Sequence, residues 1–216
     1  MISFIENAPD IANKQLIEEY VSIYLNEVRQ ILPEFPNDIR IWLDNSSMIF
    51  DVGEGGAAYA PDIMNISFDP NFEDKDLQIK SLRGTIFHEA YHMVQGFTTE
   101  SPKANSVSAL DPAIYEGCAT IFERQYAGVK VPWGEYALHN AETLKKWRKI
   151  IEEVSFEKYK HEEGLWEKLA FYDEESGERW RLYKVGTWLV DEALKKSELD
   201  ILKLRDKSAQ DIIAMV

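Results

Sequence analysis

The sequence predicts an α+β fold, with a small β region in the N-terminal third and a mainly helical remainder. Three observations point there. Residues 11–32 carry apolar side chains at three- and four-residue spacings, residues 38–68 change to short β-like runs punctuated by glycine, and helical spacing returns from residue 74 onward. With 216 residues, 45% of them apolar and 29% charged, the chain has the composition of one globular domain, which buries roughly 70% of its unfolded surface. No repeat, low-complexity tract or linker divides it. The expectation is therefore a single domain over 1–216, with a β-containing part at about 1–97 and a helical part at about 98–216.

In chain order, Ile11, Leu16, Ile17, Tyr20, Val21, Ile23, Tyr24, Val28 and Ile31 recur at mixed three- and four-residue spacings with charged residues between them, an amphipathic helix that Pro33 and Pro36 stop. Residues 39–43 and 57–68 read as strand, and the glycines of 51–56 as a turn between them. Met64, Ile66 and Phe68 alternate with Asn65 and Ser67, the pattern of a half-buried strand. A helix is expected over 74–96, with Leu77, Leu82, Ile86, Tyr91 and Val94 among its apolar residues and Gly96 near its end. After a polar connection, 98–110, the next helix has Asp111 as its N-cap, Pro112 at its first position and Gly128 as its stop. Further helices are expected at 134–153, 157–171, 177–196 and 198–206, with a short one after Ser208. Trp133, Trp147, Trp166, Trp180 and Trp188 read as packing residues among them.

Charge narrows the function classes. Lys and Arg number 24 against 38 Asp and Glu, and a net charge of −14 repels phosphate backbones and anionic lipid. Nucleic acid and acidic membranes are thereby disfavoured as partners, and cationic ligands or metal ions favoured. The lone cysteine, Cys118, excludes an intramolecular disulfide and a cysteine-based zinc knuckle. Residues 1–10 lack a basic stretch followed by an apolar core, and no apolar run reaches the roughly 20 residues that span a bilayer. The expectation is a soluble, cytoplasmic protein.

The chemistry sits in the helix over 74–96, as His88-Glu89-Ala90-Tyr91-His92. On an α-helix, positions i and i+4 lie on one face, so both imidazoles can bind one ion. Glu89 lies beside that face, where its carboxylate reaches a metal-bound water without being a ligand. Imidazole nitrogens leave Zn²⁺ enough positive charge to acidify that water to a pKa of about 7. A carboxylate base can then take its proton as it attacks a carbonyl and pass the proton to a leaving amine. This division of labour suits amide hydrolysis.

A catalytic zinc needs a third protein ligand. Extension to HExxHxxGxxH fails, because residue 95 is Gln and residue 98 is Thr. The best candidate is Glu116, 24 residues after His92 on the next helix, with Gly117 beside it to let backbones approach closely. Other residues were open to the role. Asp111 is accounted for as a cap, Glu123 reads as a surface charge or one that supports the ligands, Glu100 lies in the polar connection, His139 would give a three-histidine site, and His161 reads as a solvated surface histidine.

On these residues the sequence resembles the gluzincin-type metallopeptidases, in which HExxH is followed by a Glu ligand on a downstream helix. More closely, it is similar to a bacterial family of predicted Zn-dependent proteases in which HExxH precedes Glu-Gly-x-Ala and a later Tyr-x-x-Gly. Here these stand as 88–92, Glu116-Gly117-Cys118-Ala119 and Tyr183-Lys184-Val185-Gly186. The resemblance implies a zincin-like fold, with a small mixed sheet over the active-site helix, then a helical lobe. It implies zinc as cofactor and a peptide or protein as substrate, laid along an edge strand for which 57–68 is the candidate. It also implies a catalytic phenol for which Tyr183 is a candidate, though Tyr183 reads equally as a core aromatic. Thermolysin-like relatives carry Asp four residues after the Glu ligand; this chain has Thr120. Two other functions stay open: a binding or regulatory protein on a zincin scaffold, and a metal hydrolase of a non-peptide amide or ester.

Overall fold

A computed structural model describes residues 1–6, 14–101 and 106–216; Ile11 and the middle of the polar connection, 102–105, lie outside the described residues. The architecture is α+β, as the sequence predicts, and the chain divides into two compact units: Met1–Lys103 with Gln125–Val129, and Ala104–Arg124 with Lys130–Val216.

The first unit holds a four-stranded mixed sheet in the order β1-β2-β4-β3. Strand β1 (Ile2–Glu6) pairs in parallel with β2 (Ile39–Asp44), and helix α1 (Lys14–Ile31) lies between them in sequence. Strand β1 is not expected from the sequence, because the adjacent apolar residues Phe4 and Ile5 break a strict alternation. Helix α1 buries Ile17, Val21, Tyr24 and Val28 of the expected apolar residues, and Leu25 with them, whereas Leu16 and Ile23 are exposed; it ends ahead of Pro33.

The expected run 57–68 is a hairpin. Strand β3 (Glu54–Ala60) turns at 61–62 into β4 (Ile63–Phe68), which also pairs in parallel with β2. As an inner strand β4 is buried along its whole length, so Asn65 and Ser67 do not face solvent as the alternation predicts. Asn65 instead donates to the Trp42 carbonyl, and the Ser67 hydroxyl accepts from the Ser47 N–H. The glycines of 51–56 are only partly a turn. Gly53 turns the chain at φ +68°, whereas Gly55 and Gly56 are strand residues. Crowding explains them: a Cβ at Gly55 would stand 1.9 Å from the Ser47 carbonyl oxygen.

Helix α2 (Lys75–Gln95) starts at Asp74, whose carboxylate accepts from the Leu77 N–H, and stops at left-handed Gly96. From Ser81 to Gln95 only Arg83 and Val94 are not buried. A helix enclosed on nearly every side must satisfy its polar side chains internally.

In the second unit, α3 (Leu110–Phe122) continues as a π-helical turn, Glu123–Ala127, and Gly128 ends it at φ +68°. Its N-cap position is Ala109, not Asp111. Asp111 stands within the first turn and reaches back, accepting from the Val107 and Ser108 N–H groups and from Gln210. The expected helix at 134–153 begins later, as α4 (Ala141–Glu152) capped by Asn140, after 3-10 turns at Pro132–Gly134 and Tyr136–Leu138. Left-handed Gly164 divides 157–171 into α5 (Phe156–His161) and α6 (Leu165–Ala170). Residues 178–179 belong to a small ribbon of β5 (Tyr172–Asp173) and β6 (Glu178–Arg179), so the next helix, α7, spans only Arg181–Lys196. Short helices α8 (Ile201–Leu204) and α9 (Ala209–Ile213) finish the chain, the latter with a Ser208–Asp211 capping box.

Helices α3 and α7 cross at two glycines. A Cβ on Gly117 would stand 2.2 Å from the Gly186 carbonyl carbon, and one on Gly186 would stand 1.7 Å from the Ala113 carbonyl oxygen. Trp133, Trp147 and Trp180 pack inside, while Trp166 is 41% exposed. Among the described residues no helix is long and apolar enough to cross a membrane.

Candidate metal centre

The pairing of His88 and His92 follows from helix geometry. One turn apart on α2 and both buried, they place their Nε2 atoms 3.0 Å from each other. Two nitrogens bound tetrahedrally to one Zn²⁺ at 2.0–2.1 Å are separated by about 3.3 Å. The observed spacing therefore fits two donors on a shared ion. The rings meet edge-on, at 77°, and His92 also packs against Phe97. The preceding turns of α2 are fastened to the sheet, where buried Glu54 of β3 accepts from the hydroxyls of Ser81 (2.6 Å) and Thr85 (3.0 Å).

Glu89 is 9% exposed, and its Oε2 accepts a 2.7 Å hydrogen bond from the Ala58 N–H. A buried carboxylate needs such a donor. The strand that supplies it is pinned in turn, because the Thr99 N–H donates to the Ala58 carbonyl and the Glu100 N–H to the Tyr59 carbonyl, each at 2.9 Å. At the other end of β3 the Ile49 N–H donates to the Glu54 carbonyl.

In the second unit Glu116 is the one α3 residue that is not buried. Burial, and then the Glu116 charge, push the Tyr159 phenol well above its usual range. Gly117 does let another backbone approach closely, and that backbone is α7 at Gly186. Thr120 is buried, and its methyl group packs where a Cβ on Gly134 would be. Tyr183 is half-buried on α7 with its ring edge-on to Trp180 at 5.9 Å.

The other candidates are placed as follows. His139 lies 3.2 Å from Lys184 Nζ and against Trp147, and burial together with the Lys184 charge lowers its pKa. His161 is exposed beside Glu157, Glu100 is exposed, and Glu123 is fully buried rather than on the surface. Of the three expected metal ligands, His88 and His92 stand together on α2 of the first unit, and Glu116 is the half-buried carboxylate of α3 in the second. The Ala58 amide was missed by sequence reasoning, since a backbone donor has no residue type. Its only sequence signal is the Gly55-Gly56 pair just before it.

The sequence matches, over residues 17–214, the family described as "Predicted Zn-dependent protease (DUF2268)". No curated protein matches it, and no solved structure does.

Proposed function

This chain belongs to the family of predicted Zn-dependent proteases, and on that premise we propose that it is a zinc peptidase of zincin-like fold. The observation that carries the reading is the buried imidazole pair, its nitrogens 3.0 Å apart, on the helix that also carries Glu89. His88, His92 and Glu116 are the proposed ligands. When bound, zinc acidifies a coordinated water and polarises a carbonyl oxygen. Glu89 takes the proton of the attacking water on its carboxylate and delivers it to the departing nitrogen. Tyr183 is the candidate donor to the oxyanion.

The proposed substrate is a peptide or protein whose backbone runs along β3. The sheet order makes β3 an edge strand, as β1 is at the other side, whereas β4, the other part of the run 57–68, is enclosed between β2 and β3. The edge is already engaged at Glu54, Ala58 and Tyr59, which leaves the stretch around Gly56 for an added strand.

The test compares zinc content and hydrolysis of a peptide library by wild type and Glu89→Gln. The variant is expected to keep its zinc and lose at least about 100-fold in rate, the lower end of what a positioned general base contributes. Equal cleavage by the two zinc-loaded proteins would refute the reading.

A further inference from the structure

The Glu89 carboxylate is held by a structure that none of the motif residues supplies. Ala58 directs its N–H to Glu89 Oε2 and its C=O to the Thr99 N–H, so both of its backbone groups point away from β4. In an antiparallel pair the direction of these groups alternates from residue to residue, which turns those of Gly56 outward as well. Gly56 also lies against the helix at Glu89 itself. A Cβ there would stand 2.7 Å from Thr85 Cγ2, 3.0 Å from the Asn65 carbonyl oxygen and 3.3 Å from Glu89 Cγ. Any side chain at 56 would thus press on the Glu89 stem while the amide two residues on holds its head.

We infer that Gly56 and the Ala58 N–H are positioning elements for Glu89: the amide fixes Oε2, the missing side chain leaves the stem its rotamer, and Oε1 is thereby aimed as the working oxygen. The inference rests on the proposed role of Glu89 as the base. A fixed carboxylate matters because proton transfer requires hydrogen-bond reach, and a misplacement of about 1 Å can cost on the order of 100-fold in rate. Thr99 and Glu100 act one step further out, since they hold the strand that carries the amide.

Two measurements test this, one of them independent of activity. The first is amide hydrogen exchange at Ala58 in wild type and Glu89→Ala, each with and without zinc, with the Met64 amide of β4 as reference. Loss of one buried charge-assisted bond is expected to speed exchange at Ala58 about tenfold or more and to leave Met64 unchanged. Unchanged protection at Ala58 would overturn the inference even in a protein with no detectable peptidase activity. The second is kinetic. Ala58→Pro deletes the donor at an outward-facing position, where proline costs the sheet no ladder bond. Gly56→Ala is made together with Thr85→Ser, which removes the closest clash and keeps the hydroxyl that Glu54 accepts. Both variants are expected to bind zinc as wild type does, with KM little changed and kcat lowered at least about tenfold. Wild-type kcat in either folded, zinc-loaded variant would overturn the inference, and so would a loss of kcat that only tracks loss of zinc. If wild type itself hydrolyses nothing while Ala58 exchange responds to Glu89→Ala, the assigned function fails and the positioning contact stands.

Discussion

Glu116 stands out on α3 as a half-buried carboxylate in a helix otherwise wholly buried. A carboxylate partly withdrawn from water is held more favourably by a cation than by solvent alone. Glu116→Ala is therefore expected to weaken zinc binding by at least about 100-fold, because even residues that only support a metal ligand cost 10- to 100-fold when removed. Competition with a chromophoric chelator measures this, and unchanged affinity removes Glu116 from the ligand set. Tyr183 is open to a sharper test, since Tyr183→Phe keeps the ring contact with Trp180 and deletes only the hydroxyl. If the phenol donates to the oxyanion, kcat falls by about 100-fold while zinc content and Tm stay put. An unaltered kcat makes Tyr183 a packing aromatic. At this scale the sequence was most legible where side-chain type recurs at helical spacing, as in His88 and His92, whose ring nitrogens come within 3.0 Å of each other. It was silent on the Ala58 amide, because only tertiary pairing turns a main-chain N–H toward Glu89.

The crossing of α3 and α7 gives the Glu-Gly and Tyr-x-x-Gly segments a common structural reason. Gly117 and Gly186 meet there, and neither has room for a Cβ. Alanine in place of a helix glycine ordinarily gains about 0.8–1 kcal/mol. At Gly186 that gain is outweighed, since overpacking costs about 1–3 kcal/mol even where side chains can yield and the obstacle here is the Ala113 carbonyl of the helix backbone. Gly186→Ala is expected to lower the urea midpoint, and an unchanged or raised midpoint would show that the helices can separate at little cost. Element boundaries were legible where local chemistry sets them. Asp74 and Gly96 bound α2, Gly128 ends the α3 stretch, and Ser208 caps α9. They were not legible where tertiary pairing decides. The ribbon of β5 and β6 has strands of two residues, and the polar side chains of β4 are buried because β2 and β3 enclose it. At Asp111 the residue type was right for a helix start, but the carboxylate serves from inside the first turn.

Across the molecule, the net charge of −14 leaves particular carboxylates to decide the response to acid. Asp173 is buried, which by itself raises its pKa, yet the Ser176 hydroxyl, the Arg181 guanidinium, the Glu175 N–H and the Lys168 ammonium together hold it below the usual carboxylate range. Ser208 does the same for Asp211, and the N-terminal ammonium for Asp38. A folded pKa below the unfolded one means that the unfolded chain takes up the proton first as pH falls. The stabilisation is thus complete above the unfolded carboxylate value, about 4, and is lost as pH drops through the folded value. His139 has a lowered pKa too, so the same sign applies at a higher pH, with loss beginning as pH falls through about 6.5. Urea unfolding between pH 8 and pH 2 should therefore show a shallow decline below about pH 6.5 and a steep one below about pH 4. Asp173→Asn separates the contributions. It leaves buried Arg181 facing a neutral amide in place of its 2.8 Å carboxylate partner, with Glu178 at 3.4 Å still beside it, which should cost about 1–3 kcal/mol near neutral pH. Because the wild-type carboxylate is itself neutralised in acid, the two stability curves should converge toward pH 2. Curves that run parallel over the whole range would show that the Asp173 charge contributes nothing to the acid limb.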